Sequence, residues 1–310
     1  MKLKKLFNPR IVRSLKFMLK IFFKDFTTAF SFIVLSLYIL ATILVYLNVV
    51  PPLPPPRGYL HMYKQPSLEN FPWYILGTEG TGRPLFLCLV RAAAPTLSVA
   101  FLSAMITVIV GMLVGLTAGY LGGKIDGALN FLITLALTIP STFLALIISA
   151  LLPQELRGNL LVGAGVLSIT AWGTIARGVR AQVVSLKRRE FIEVAKALGF
   201  GARYIIFREI MRYLLPYITM QFVLAMVSGI YGYTSLSFLG IIPVGADNWG
   251  YQINLATSVG GLYAQKLSVQ LGLWGPIIAI VLIQFSLANV ARAFEEVFNP
   301  ALRTKIEEGE

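Results

Sequence analysis

The sequence predicts an all-α integral membrane protein with six transmembrane helices and both termini on the cytoplasmic side. Three observations carry this. Of the 310 residues, 56% are hydrophobic and 13% charged, whereas soluble domains carry about a quarter charged residues. Six stretches are long and apolar enough to cross a bilayer, which takes about 20 residues. Of the 27 Lys and Arg residues, 21 fall on segments that six spans would place on one side, the side that faces the cytoplasm.

The first 26 residues carry Lys2, Lys4, Lys5, Arg10, Arg13, Lys16, Lys20 and Lys24 among Leu, Phe, Ile and Val. This pattern fits an amphipathic helix on the anionic leaflet, and equally a cluster of charge that sets topology. The first span, 27–49, is followed by no small-residue cleavage site and is read as retained. An outer loop follows over 50–93. It opens with Pro51, Pro52, Pro54, Pro55 and Pro56, a stiff polyproline-like exit from the membrane. A five-helix membrane domain occupies 94–291, with spans at 94–120, 127–152, 158–176, 213–242 and 267–291. It contains a cytoplasmic loop at 177–212 and an outer loop at 243–266. A cytoplasmic tail covers 292–310.

Composition also excludes functions. The net charge of +13 points to anionic phosphate. The apolar runs assign that phosphate to lipid headgroups and not to nucleic acid. One cysteine, Cys88, and one histidine, His61, exclude a disulfide framework, a zinc cluster and a Cys/His nucleophile pair. The predicted spans hold amides such as Asn130, Gln221, Gln284 and Asn289 but no acid or base in their interiors. Ion-coupled carriers use such charges. No HExxH motif is present and no paired carboxylates lie within the spans, so a membrane hydrolase is not expected. Gly122-Gly123-Lys124 resembles the end of a phosphate loop, but Ala118 and Ile125 occupy the positions of its first glycine and its Ser/Thr. If ATP powers the protein, another chain binds it.

Two local patterns are candidate contact sites. Gly111, Gly115 and Gly119 lay a flat stripe on one face of span two. The stripe suits close packing within the chain or against a partner membrane subunit. Pro140 and Pro216 are expected to break or kink spans three and five. In the cytoplasmic loop, residues 190–198 read as a short helix with Phe191, Val194, Ala195 and Leu198 on one face. Gly199 and Gly201 then stop it. An apolar face on a rigid element docks on a partner chain, on the bilayer, or on the protein's own loops.

At this loop the sequence resembles the membrane subunits of ABC importers. Glu193-Val194-Ala195, then Gly199, then Ile210-Met211 and Leu215-Pro216 match their cytoplasmic hallmark, with Val194 in place of its middle alanine. More specifically, the chain is similar to the C-type permease of the dipeptide/oligopeptide/nickel family. The similarity rests on Leu76 to Arg83, on Gly119 to Asp126 with its Gly-Tyr-Leu-Gly-Gly turn, on Ile139-Pro140, and on Trp172 with Ala176-Arg177 and Val179-Arg180. It continues through Ser235 to Gly240, Trp249-Gly250 and Asn299-Pro300. Pro84, Asn130, Thr134, Arg292 and Glu295 depart from the family pattern and suggest a divergent branch.

The resemblance implies a type I importer permease and not an enzyme, a multi-pass subunit of the cell membrane. Glu193, Ala195, Lys196, Ala197, Leu198, Gly199 and Ile210 would form the ATPase-coupling segment. The partners implied are a second permease, two ATPase subunits that bind ATP and Mg, and an extracellular binding protein. This chain would bind no cofactor or metal itself. Ser237, Phe238, Leu239, Gly240 and Trp249 would face the binding protein, or else plug the outer bundle. The substrates implied are di- and oligopeptides, with oligosaccharides or nickel chelates as alternatives. A stand-alone channel or carrier and a membrane scaffold or sensor without transport are the competing classes.

Overall fold

The computed structural model describes residues 22–298 except 24, 69–70, 243–244 and 262. The basic N-terminal segment up to residue 21 and the tail from 299 onward lie outside the described residues. The helices of eight residues or more are α1 (Phe26–Tyr46), α2 (Leu85–Leu121), α3 (Gly123–Thr138), α4 (Ser141–Leu151), α5 (Leu160–Ser168), α6 (Trp172–Leu186), α7 (Glu190–Ala197), α8 (Ala202–Phe238), α9 (Trp249–Ser258) and α10 (Leu267–Phe298). No named strand occurs among the described residues.

Four helices, α1, α2, α8 and α10, are long and apolar enough to cross a membrane unbroken. Two further crossings are bent pairs. α3 and α4 meet at 78°, and α5 and α6 at 52°. Counting each pair as one crossing gives the six spans read from the sequence. The first break sits at Ile139–Pro140, where Pro140 lacks an N–H and biases the residue before it toward extended backbone. Ile139 accordingly has ψ 119°. The second break, at 169–171, has no proline. Pro216 breaks nothing: it lies inside the α-helix Met211–Phe238. A π-helical stretch, Ile205–Ile210, precedes that segment within α8.

Several predicted boundaries move, among them the end of the last span, since α10 runs to Phe298, seven residues into the predicted tail 292–310. α2 starts at Leu85 and not at residue 94, because Arg91 is accommodated inside the helix. Its guanidinium donates to the carbonyls of Val50 and Pro51 at 3.3 and 3.0 Å. Arg83 donates in the same way to Pro54 O at 2.8 Å. A proline-rich strand has few N–H groups of its own, so its carbonyls need outside donors. The predicted loop 177–212 is also mostly helical, since α6 runs to Leu186 and α8 starts at Ala202.

The inner half of the molecule is organised by the glycine stripe. An added Cβ on Gly111 would lie 2.8 Å from Ile175 Cβ, one on Gly115 2.6 Å from Ala176 O, and one on Gly119 2.8 Å from Val183 Cβ. The stripe is therefore an intrachain contact that brings the α2 and α6 backbones together. Around it, Val108, Leu116, Ile175, Val179 and Val183 form one buried cluster with Ile192 and Ala195 of α7 and Ile205, Ile210 and Leu214 of α8. A second cluster joins α2, α8, α9 and α10 about Trp249. Large apolar residues such as Leu37, Phe143, Ile147 and Val281 stay exposed on the outside of the bundle, as lipid-facing helices require.

Candidate functional site

The short helix α7 presents two faces. The sequence grouped Phe191, Val194, Ala195 and Leu198 together, and the fold divides that face. Ile192, fully buried, and Ala195 point into the inner core, while Val194 and Leu198 are 57% and 69% exposed. At 100° per residue, Phe191, Ala195 and Ile192 lie on one arc, and Val194, Ala197 and Leu198 lie on the adjoining one. The apolar surface of α7 is thus wider than its seat and leaves a knob outside. Ala197 adjoins the knob, and Glu193 and Lys196 are exposed further round the helix, Lys196 on the side opposite the knob. Gly199 ends the helix at φ +80°, with nothing within 4 Å of where a Cβ would stand. Ile210, in contrast, is fully buried and serves the core.

The seat of α7 is locked to the rest of the inner half. Arg180 of α6 grips Asp126 at the α2–α3 turn with both arms of its guanidinium, Nε–Oδ1 at 2.5 Å and Nη2–Oδ2 at 2.7 Å. Lys187 donates to Tyr120 O at 2.5 Å and lies over the Tyr120 ring. The turn between α2 and α3 uses Gly122 and Gly123 at φ +72° and +58°, values that a side chain would strain.

A cavity of about 520 Å³ opens between α2, α4, α5, α6 and α8. Both span breaks border it: Ser141 and Thr142 follow Pro140, while Ala171 lies in the second bend and Thr174 follows it. Ser103, Thr107, Gln221, Ser228, Tyr231 and Ser235 complete its polar wall. No Asp, Glu, Lys, Arg or His lies among the lining residues described. This wall was not legible as a unit in the sequence, which marked only Gln221 as an unusual intramembrane amide.

The outer end is built around buried groups. Trp249 is fully buried, donates from Nε1 to Leu89 O at 3.1 Å and meets the Tyr38 ring edge-on. Gly250 packs directly on the α8 backbone at Thr234 and Phe238. Of the residues expected to face outward, Ser237 and Trp249 are buried, whereas Phe238, Leu239 and Gly240 lie at the surface. The outer loop predicted at 243–266 contains helix α9, capped by Asn248, whose Oδ1 accepts from Tyr251 N. The Leu76–Arg83 segment forms a turn ahead of α2. There the Glu79 carboxylate accepts from the Thr81 N–H at 2.8 Å and the Arg83 N–H at 3.2 Å. Burial, with the Glu79 carboxylate adding to it, pushes the nearby Tyr63 phenol up to about 12, and its hydroxyl donates to Leu255 O.

Residues 108–304 match the family described as binding-protein-dependent transport system inner membrane component. The chain is 28% identical, over 68% of its length and 69% of the relative's, to the oligopeptide transport system permease protein OppC of Lactococcus lactis subsp. cremoris. It is 25% identical to a putative peptide permease protein of Brucella suis over 74% of each chain. To the dipeptide transport system permease protein DppC of Alkalihalophilus pseudofirmus it is 32% identical, over 61% of this chain and 60% of that one.

Proposed function

Because this chain belongs to the binding-protein-dependent transport system inner membrane component family, we propose that it is the permease subunit through which an ATP-driven importer moves small peptides inward, coupled to separate ATPase chains by α7. The peptide assignment is supported by its relatives, which are named as oligopeptide and dipeptide permeases. Oligosaccharides and nickel chelates receive no such support.

The observation that carries the coupling role is the exposed knob of Val194 and Leu198 on a helix whose opposite face, Ile192 and Ala195, is buried in the inner core. A knob on a loose loop would absorb a push. This one is held by a core that continues into α2, α6 and α8, and by the Asp126–Arg180 pair. In this reading Glu193 makes polar contacts at the ATPase surface, and Gly199 allows the sharp turn behind the knob. ATP and Mg belong to the partner ATPases, and a second permease supplies the other half of the pathway. An extracellular binding protein delivers substrate near the exposed Phe238–Gly240 corner. Both termini and α7 then lie on the cytoplasmic side, as the distribution of Lys and Arg supports.

The test is replacement of Gly199 by Val in the reconstituted transporter. Strain at a positive-φ position costs about 1–2 kcal/mol, too little to unfold the bundle. The expected result is retained assembly and ATP hydrolysis with peptide uptake reduced at least about tenfold. Unchanged uptake would count against α7 as the coupling element.

A further inference from the structure

We propose that the cavity between α2, α4, α5, α6 and α8 is this chain's substrate-contact wall, and that it recognises the main-chain amides of a peptide while ignoring the charge of its side chains. The inference rests on the permease reading and extends it to a site and a chemical preference.

The first observation is hydrogen bonding. Hydroxyls in membrane helices commonly return their proton to the carbonyl four residues back. Many in this bundle do so, among them Thr117 to Leu113 O, Thr219 to Leu215 O, Ser237 to Tyr233 O and Ser286 to Leu282 O. Thr219 and Ser237 share α8 with Ser228 and Ser235. Yet the side chains of Ser228 and Ser235, which line the cavity, have no hydrogen-bond partner among the described residues, and neither do those of Ser141, Thr142, Thr174 or Gln221. Of the polar side chains that line the cavity, Ser103 alone is paired among the described residues, with Ala100 O at 3.0 Å; on α8 the Thr234 hydroxyl, outside the lining, is unpaired as well.

The second observation is the kind of polarity. A hydroxyl donates and accepts, and a primary amide does both at separate atoms. Those are the complements of a peptide N–H and C=O. A wall made of such groups matches any peptide backbone and adds no attraction or repulsion for an ionised side chain. A fixed charge would do the opposite. In a site of reduced dielectric it would hold the opposite charge too tightly to release and repel its own kind. Neutral, two-way hydrogen bonding therefore suits a route that must pass peptides of varied sequence. The third observation is placement. Both bent crossings border the cavity, so its width depends on the two bends and follows any movement of α6.

The experiment uses the complete transporter with its binding protein in vesicles, and three labelled peptides: Ala-Ala-Ala, Ala-Lys-Ala and Ala-Glu-Ala. ATP-driven uptake of each is compared with that of the variants Gln221→Lys, Thr174→Lys and Gln221→Leu. The binding protein is common to all, so the changes between variants report the wall. Either lysine is expected to depress Ala-Lys-Ala at least about tenfold relative to Ala-Glu-Ala, with ATP hydrolysis retained. Gln221→Leu is expected to depress all three peptides alike, because all share one backbone. Equal effects of lysine on the three peptides, or none, would overturn the wall assignment and leave the permease reading intact. If the unaltered transporter hydrolyses ATP but takes up maltotriose and no peptide, the substrate class is wrong and the proposal falls with it. If it takes up neither, the importer reading itself fails.

Discussion

The Arg180 guanidinium lies in bidentate contact with the Asp126 carboxylate, joining the turn after α2 to the arm that leads to α7. The side chains are 30% and 22% exposed, so solvent weakens the pair without abolishing it. Geometry of this kind is the strong form of an ion pair. Asp126→Asn is expected to lower stability by about 1 kcal/mol and the Tm of the purified transporter by a few degrees. Exchanging the two residues (Asp126→Arg with Arg180→Asp) should recover part of the loss. Identical melting of the single variant and the parent would show the pair to be idle.

Gly115 tolerates no side chain, since the nearest obstacle is the Ala176 carbonyl at 2.6 Å, followed by Val179 Cβ at 2.8 Å. Gly115→Ala should destabilise the inner half by about 1–3 kcal/mol through overpacking. Adding Val179→Ala should relieve only part of this, because the carbonyl belongs to the backbone. Full rescue, read by thermal denaturation, would mean that the helices can separate freely.

The two faces of α7 should separate stability from coupling. Ile192→Ala opens a buried cavity and should cost about 2–5 kcal/mol, seen as poor yield and a lowered Tm. Leu198→Asp changes an exposed residue and should leave Tm nearly unmoved while reducing uptake at least about tenfold with ATP hydrolysis continuing. A reversed pattern would place the docking face on the wrong side of the helix.

Trp249 should behave as a core residue and not as a docking residue. Trp249→Ala is expected to lose about 3–5 kcal/mol. Trp249→Phe should lose less, mainly the hydrogen bond to Leu89 O, about 0.5–1.5 kcal/mol, since that carbonyl keeps its helical partner. Normal stability with weakened capture of the binding protein would instead restore the outward-facing role.

The apolar runs, the glycine stripe and Pro140 were legible in the sequence because each acts through its own backbone or its immediate hydrophobic surroundings. Arg91 misled the reading of α2, since a charge looks like the end of a span until the Val50 and Pro51 carbonyls that receive it are known. The bend at 169–171 carries no proline to announce it. The face of α7 was assigned by periodicity, but which part of a broad apolar arc becomes buried is decided by the distant residues Ile205 and Ile210. The cavity was least legible of all. Its wall is drawn from five helices, and nothing in the sequence distinguishes the Ser228 hydroxyl, left unpaired, from that of Ser237, tied to Tyr233.

α2 is unbroken for 37 residues, a rod about 55 Å long at 1.5 Å per residue. Its inner third is fastened to α6 by the glycine stripe, and its outer third is packed against Trp249 and the proline-rich segment. A rod pivoted near its middle works as a see-saw: a tilt of about 5° moves each end some 2–3 Å, in opposite directions, for this length. Were α2 to turn about its middle in this way, a push received at one end would reappear at the other with its sign reversed. In such a body, widening on one side of the membrane and narrowing on the other are a single displacement of one stiff part, with no separate signal between them.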